Sequence, residues 1–354
     1  MGKQMKVFFE SCTRVKQYLY FICTEYNILC RMHIITGEIS PLGSIPEEPI
    51  RSKRVSSKIV SWNDDLYIAP LLTKKIWKYN QNNQQWTGYK REELCNWTRR
   101  QDMSQAVLYK DRIFFIGCLY PAIIVMNPYT DDIKYITSPY NEKMELVSKK
   151  KEIWFRTDYV IKNNYIYLAS CVDDTVLCMD LDTYEYEYKQ IGEKSYAYSG
   201  IGWDGELFYL SPRNTGPIVI WDGEKIVGEI DIKFPPNEKK ILGSALCLED
   251  KIVFPAIFSK NTVELIKNVG YQIVYRNKQY FFYEKIDQET IVSLDTEGII
   301  EIIWNNKTYI HETNLMDSLF WNQFKERPFE TGITMKGINY EKTTEDLRAL
   351  MVIL

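Results

Sequence analysis

The sequence predicts an all-β chain folded as a β-propeller, with seven blades and six as the alternative. Two independent ladders of residues and the period they share predict it. The first is a turn signature. Met32-His33-Ile34-Ile35-Thr36 is echoed by Met126-Asn127-Pro128-Tyr129-Thr130 and by Met179-Asp180-Leu181-Asp182-Thr183. Lys78 to Asn83 supplies the missing member, since Thr36 to Asn83 and Asn83 to Thr130 are both 47 residues. Ser293-Leu294-Asp295-Thr296 reads as a fifth, degenerate copy.

The second ladder is a set of short apolar runs, each entered from a tight turn. Leu19 to Ile22 opens it. Leu66 to Ala69 follows Asn63-Asp64-Asp65, Ile113 to Ile116 follows Lys110-Asp111, and Ile166 to Ala169 follows Asn163-Asn164. Leu207 to Leu210 follows Trp203-Asp204-Gly205, and Ile252 to Phe254 follows Glu249-Asp250. Asn, Asp and Gly accept the positive φ that tight hairpins require, while β-branched and aromatic residues suit a pleated, half-buried surface. These runs are expected to be the second strand of each blade. Their steps of 47, 47, 53, 41 and 45 residues agree with the turn ladder. Pro70, Pro121, Pro212 and Pro255 recur near their ends, where a missing N–H is tolerated.

A further apolar run, Tyr280 to Tyr283, comes only about 28 residues after Ile252. That interval fits a three-stranded sixth blade followed by a seventh, with strands near Ile291 to Ser293, Ile299 to Trp304 and Thr308 to His311; the alternative is six blades with an added hairpin. Beyond His311 the spacing turns helical, over Asn314 to Lys325 and over Thr344 to Leu354, with Thr343-Thr344-Glu345-Asp346 as a cap. The expected organisation is therefore a propeller over 1–312 and a helical extension over 313–354 packed on it. No Pro/Gly/Ser-rich linker divides the chain, and all-β rings run large as one domain.

Composition narrows the setting. Apolar residues are 45% and aromatic ones 14%, with 26 tyrosines, enough to fill the interfaces between blades. The formal net charge of −3 gives no electrostatic footprint for nucleic acid, and Arg99-Arg100, Lys149-Lys150-Lys151 and Lys239-Lys240 read as solvated loops. There is no apolar stretch of membrane-spanning length and no signal-peptide core near the N-terminus. Eight cysteines, at 12, 23, 30, 95, 118, 171, 178 and 247, form no C-x-x-C and sit mostly inside apolar runs. Free thiols in a reducing cytoplasm are expected, with no nucleic-acid or membrane partner.

Histidine is scarce: only His33 and His311 exist. The turn alignment puts His33 where Asn127 and Asp180 stand, on the outer rim, so a Ser-His-Asp arrangement or a multi-histidine metal site is not expected. The G-x-S-x-G elbow, Walker A loop, G-x-G-x-x-G and H-E-x-x-H are all missing. No metal and no cofactor are expected. Asp64-Asp65 and Asp131-Asp132 fall at hairpin tips, where Asp is a turn former. Asp173-Asp174 differs, because it lies between the second and third strands of its blade.

Loops joining strands two and three, and links between blades, emerge on one face around the channel of a propeller. Here they carry Tyr120, Asp173 and Arg213, with Trp97, Arg99, Arg156, Tyr196, Tyr198 and Ser199 from the links. Aromatic, cationic and amide groups suit stacking on a flat ligand and fork-like bonds to carboxylate or phosphate. The ligand-binding candidates are Arg213, Tyr120, Tyr198, Arg156, Asp173 and Trp97. Arg213 leads, since Pro212-Arg213-Asn214-Thr215-Gly216 puts a long cation on a stiffened turn; its other reading is a brace between loops.

The phrases Tyr198-Ser199-Gly200-Ile201-Gly202-Trp203-Asp204-Gly205 through Arg213, and Tyr120-Pro121-Ala122-Ile123, resemble an uncharacterised group of bacterial kelch-like propellers of the Firmicutes type. The resemblance covers about residues 6–311 and implies architecture alone. The consecutive glycine doublet of true kelch repeats and the Gly-His and Trp-Asp repeat pair are missing, and no copper ligands can be mapped.

Two classes of function follow. One is a non-enzymatic scaffold whose channel-side face holds a peptide, protein or carbohydrate. The alternative is a histidine-independent lyase or hydrolase in which Asp158, Asp173, Tyr198 and Arg213 converge. Arg99, Arg156 and Arg213 could form a sialidase-like arginine cluster, but the S-x-D-x-G-x-x-W box is missing.

Overall fold

The computed structural model describes residues 4–94, 102–156, 158–192, 196–213, 216–233, 242–255, 261–268, 270–277 and 279–316. Its strands form seven four-stranded antiparallel meanders and one two-stranded sheet. The chain divides into two compact units, Met1–Glu92 with Tyr280–Leu354, and Glu93–Gln279.

The first unit holds blades one, two and seven. Blade one is Cys12–Val15, Tyr18–Ile22, Leu29–His33 and Ile39–Gly43. Blade two is Ser56–Trp62, Asp65–Pro70, Lys75–Asn80 and Gln85–Lys90. Blade seven is Tyr280–Asp287, Thr290–Asp295, Ile299–Trp304 and Lys307–Glu312. Phe9, Phe21, Met32, Phe282, Val292 and Ile302 form one core of this unit, with the Phe9 and Phe21 rings stacked at 4.3 Å. A second core gathers Tyr20, Ile22, Ile59, Ile68 and Trp77. Gln4–Lys6 pairs antiparallel with Asn314–Met316, joining the two sequence-distant parts of the unit.

The second unit holds blades three to six. Blade three is Met103–Tyr109, Arg112–Gly117, Ile123–Met126 and Ile133–Ile136. Blade four is Val160–Lys162, Tyr165–Ala169, Thr175–Asp180 and Tyr186–Gln190. Blade five is Tyr198–Trp203, Phe208–Pro212, Ile218–Trp221 and Ile226–Ile230, and blade six is Leu246–Cys247, Lys251–Phe254, Asn261–Asn268 and Gly270–Asn277. Middle strands such as Ile123–Met126 and Ile218–Trp221 are buried at every position, since both sheet faces are covered; the outer strand Ile226–Ile230 alternates. This is why the second strands read as unbroken apolar runs.

The turn ladder has a structural cause. Met32, Met126 and Met179 are fully buried, with Tyr79 in the same place of blade two. The residue after each closes the hairpin between strands three and four by accepting backbone N–H groups. Asn80 Oδ1 takes those of Asn82 and Asn83, both at 3.0 Å. Asn127 Oδ1 takes that of Tyr129, Asp180 Oδ1 those of Asp182 and Thr183, and His33 Nδ1 that of Thr36. Three residue types thus perform one side-chain turn.

Four expectations are corrected. Ser293 to Asp295 ends the second strand of blade seven, and Asp295 closes the turn to its third strand by accepting from Glu297 and Ile299. The turn equivalent to the ladder there is Asn305-Asn306, both at positive φ. Tyr280 to Tyr283 belongs to the first strand of blade seven, so blade six has four strands, and its first is only two residues long. Asn314 to Met316 is a strand and not the start of a helix, because pairing with Gln4–Lys6 outweighs the local helical spacing; the rest of the expected helical extension lies outside the described residues. Lys149-Lys150-Lys151 is not a loop but the end of an unforeseen helix, Ser138–Lys150. Pro139 begins that helix, Tyr140 and Val147 are its buried stripe, and the lysines offset the negative end of its dipole.

Candidate functional site

In the second unit, hairpins one-to-two and three-to-four occupy one end of each blade. Loops two-to-three and the links between blades occupy the other, here termed the loop end. A backbone staircase runs along it. Cys118 donates its N–H to Asp102 O at 2.8 Å, Trp154 to Cys118 O at 3.0 Å, and Cys171 to Trp154 O at 3.0 Å. Tyr198 then donates to Ser170 O and Arg213 to Ala197 O, each at 2.9 Å. The first unit repeats the pattern, with Thr24 to Phe8, Arg54 to Thr24 and Leu71 to Val55. The first strands of blades two, three and five also carry a bulge near their start, and a serine there reaches a second-strand carbonyl. Ser57 donates to Ala69 O, Ser104 to Ile116 O and Ser199 to Ser211 O, at 3.4–3.5 Å.

The staircase makes Cys118, Cys171 and Arg213 equivalent positions. Blade five therefore places a guanidinium where blades three and four place a small thiol. Arg213 is 8% exposed and its Nη2 lies 2.6 Å from Glu152 Oε2. Glu152 and half-buried Arg156 flank Trp154 on the link into blade four. Burial and the neighbouring Arg213 guanidinium hold Arg156 below the usual arginine range. Burial pushes the Cys118 thiol up to about 12 and raises Cys171 as well, while both arginines pull the other way.

Asp158 extends the cluster. Its Oδ1 accepts the Ser244 hydroxyl, reaching from the start of blade four to that of blade six. The contact passes over Gly200, where an added Cβ would stand 2.3 Å from Asp158 Oδ2 and 3.1 Å from Ser244 Cα. A glycine in the first strand of blade five is what lets the carboxylate cross.

The other candidates belong to separate networks. Tyr198 is buried and its hydroxyl donates to Asp174 Oδ1, an acid that burial raises above its ordinary range. Asp173 takes the Lys143 ammonium of the helix at 2.5 Å and the Thr175 hydroxyl at 2.7 Å. Burial alone would raise it, but Lys143 leads a set of donors that more than offsets this and lowers it. Tyr120 is buried, its N–H on Asp102 O at 3.1 Å and its ring 6.5 Å from that of Tyr135. Trp97 and Arg99 lie outside the described residues. Arg213 and Asp158 are thus the charges acting on Arg156, while Asp173 pairs with Lys143 and Tyr198 with Asp174. Glu152, Ser244 and Lys143 were missed by sequence reasoning. Their contacts with Arg213, Asp158 and Asp173 span 61, 86 and 30 residues.

Both histidines lie in the first unit, His33 at a hairpin and His311 inside the fourth strand of blade seven. His33 caps its hairpin and His311 Nε2 sits 2.8 Å from Ile34 O. Among the described residues, no three His, Cys, Asp or Glu side chains gather as a metal ion would require, and no helix is long and apolar enough to cross a membrane. The seven described cysteines are free thiols.

The loop of blade one carries a pH-dependent group. Glu25 Oε2 accepts the Thr24 hydroxyl at 3.1 Å and the Phe8 N–H at 3.3 Å, whereas Oε1 is buried with no hydrogen-bond partner among the described residues. Burial pushes this carboxyl up to about 7, against an ordinary 4.5. The folded state then holds the proton more tightly than the unfolded chain, so Glu25 costs stability progressively as pH rises from about 4.5 to about 7. Glu25→Gln is expected to match the natural protein at pH 4.5 and to melt several degrees higher at pH 7.5. A melting difference that is the same at both pH values would contradict the assignment.

No family model matches the chain, and no curated sequence is similar to it. Solved structures are similar in fold. A streptogramin B lyase matches at 12% identity with a TM-score of 0.58, over 86% of this chain and 94% of that one. A catalytically inactive virginiamycin B lyase from Staphylococcus aureus, solved with quinupristin, matches at 10% identity and a TM-score of 0.60, over 88% and 98%. The WD40 repeats of RRP9 match at 10% identity and a TM-score of 0.58, over 82% and 88%. Likeness at this identity establishes the fold: the chain is a seven-bladed β-propeller.

Proposed function

We propose that the chain is a binding module, and that the loop end of blades three to five holds a segment of a partner protein. The observation that carries this reading is the pairing of charged groups with other side chains there. Arg213 is held by Glu152, Asp158 by Ser244, Asp174 by Tyr198 and Asp173 by Lys143. Groups locked in pairs give a rigid, preorganised surface. A general acid or base must instead be within reach of a substrate proton. Propeller neighbours such as the RRP9 WD40 repeats and a propeller in a mitotic checkpoint complex fit this reading. The buried free thiols fit a reducing, cytoplasmic setting.

The enzyme reading draws on the lyase neighbours and on Asp158, Asp173, Tyr198 and Arg213. It is disfavoured because Asp173 and Tyr198 are engaged in networks separate from that of Asp158 and Arg213. The test is site-directed photo-crosslinking in cells. A crosslinker replacing exposed Lys151 at the loop end should trap one discrete protein, and one replacing Tyr129, 67% exposed on a hairpin of blade three, should not. Trapping from Tyr129 alone would move the binding surface to the opposite end.

A further inference from the structure

We propose that Cys23 and Cys30 are a redox-reactive dithiol, and that peroxide closes them into a disulfide that locks the two-to-three loop of blade one. Their Sγ atoms are 3.7 Å apart and share a hydrogen bond. The strand register explains the contact. Cys30 pairs with Phe21, and Cys23 stands two residues beyond Phe21, so both thiols fall on one face of the sheet. That face joins the Phe9, Phe21 and Ile28 core of the first unit. The two cysteines differ in freedom. Cys30 is held in the third strand between Phe21 and Pro41, whereas Cys23 lies just past the last rung, Ile22 to Leu29. A disulfide needs its sulfurs about 2.05 Å apart, and the loop cysteine supplies the movement.

The loop between them is pinned to both neighbouring links. Thr24 donates its N–H to Phe8 O at 2.8 Å and its carbonyl accepts from Arg54 N at 2.9 Å. Asn27, fully buried, spans Ile45 and Glu48 with its side-chain amide. A bridge from Cys23 to Cys30 closes a ring around this loop and restricts its opening. At rest the pair is inert: the Cys30 contact and burial hold the Cys23 thiol well above its ordinary range, and the thiolate is the nucleophile. The co-reactant that fits is a small oxidant able to enter an opened loop, hydrogen peroxide. The Cys23 sulfur attacks one peroxide oxygen, the O–O bond breaks, and the departing hydroxide leaves with the thiol proton as water. The Cys30 sulfur then attacks the sulfenic sulfur, the S–S bond forms, and the hydroxyl leaves with the Cys30 proton as a second water. Two electrons pass from the dithiol to peroxide, and a dithiol reductant reverses the bridge. The pair lies in the first unit, so it stands or falls independently of the binding surface on blades three to five.

The test is peroxide treatment of the reduced full chain without denaturant, followed by alkylation and tryptic peptide mapping. Residues 17–31 form one tryptic peptide that holds these two cysteines and no others. That peptide is expected to be lighter by two hydrogens, closed to iodoacetamide, and restored by dithiothreitol. Amide exchange at Thr24 to Asn27 should slow by about tenfold in the bridged protein. In Cys30→Ala, Cys23 should stop at the sulfenic acid, where dimedone traps it; should that variant fail to fold, the peptide map of the natural protein decides alone. Both cysteines alkylated after treatment, or oxygen added with no hydrogens lost, would overturn the proposal. So would a bridge that forms only in urea, or one that leaves exchange at Thr24 to Asn27 unchanged.

Discussion

Phe115→Pro is expected to unfold the unit that holds blades three to six. Phe115 is fully buried in the second strand of blade three, where it pairs with Ala106 on one side and Ile124 on the other. Proline removes a ladder N–H and forces the strand apart, a loss of about 3 kcal/mol or more. Deleting a buried phenyl ring removes a further 3–5 kcal/mol or so. Together these approach the whole stability of a domain, roughly 5–15 kcal/mol. Far-ultraviolet circular dichroism should show lost strand signal at room temperature. A cooperative melt within a few degrees of the natural protein would contradict the strand assignment.

Gly200→Ala should be the most damaging small change at the candidate site. The new methyl meets the Asp158 carboxylate, which cannot swing aside without releasing Ser244. Overpacking of this kind costs about 1–3 kcal/mol, and loss of the part-buried hydrogen bond to Ser244 about 1 kcal/mol more. A fall in unfolding free energy of about 2–4 kcal/mol is expected from urea titration. In the double variant with Asp158→Ala the two losses should be less than additive, because the clashing group is gone. Strict additivity would mean that Asp158 does not pass over Gly200.

The fold was legible where burial is complete and local. Ile113 to Ile116 reads as a strand because every one of its residues is buried, and the Asn80, Asn127 and Asp180 turns read as hairpins because their caps bond backbone two or three residues away. Leu246–Cys247 escaped because two residues hold no period. The helix Ser138–Lys150 escaped because its apolar stripe, Tyr140 and Val147, is thin and its lysines resemble a loop. At the site, Arg213 and Arg156 stood out as long cations at loop and link positions. What they and their neighbours touch did not, since Glu152 and Ser244 meet Arg213 and Asp158 only through tertiary packing. The bulge serines Ser57, Ser104 and Ser199 recur with the blades, but a serine alone is too common to mark a repeat.

The most direct measurement is amide hydrogen exchange of the protein with and without the partner trapped at Lys151. The account predicts added protection at Cys118 to Tyr120, Glu152 to Arg156 and Arg213, with the hairpin caps Asn127 to Asp132 and Asp180 to Tyr184 unchanged. Protection confined to those caps, with the loop end exchanging as before, would contradict it.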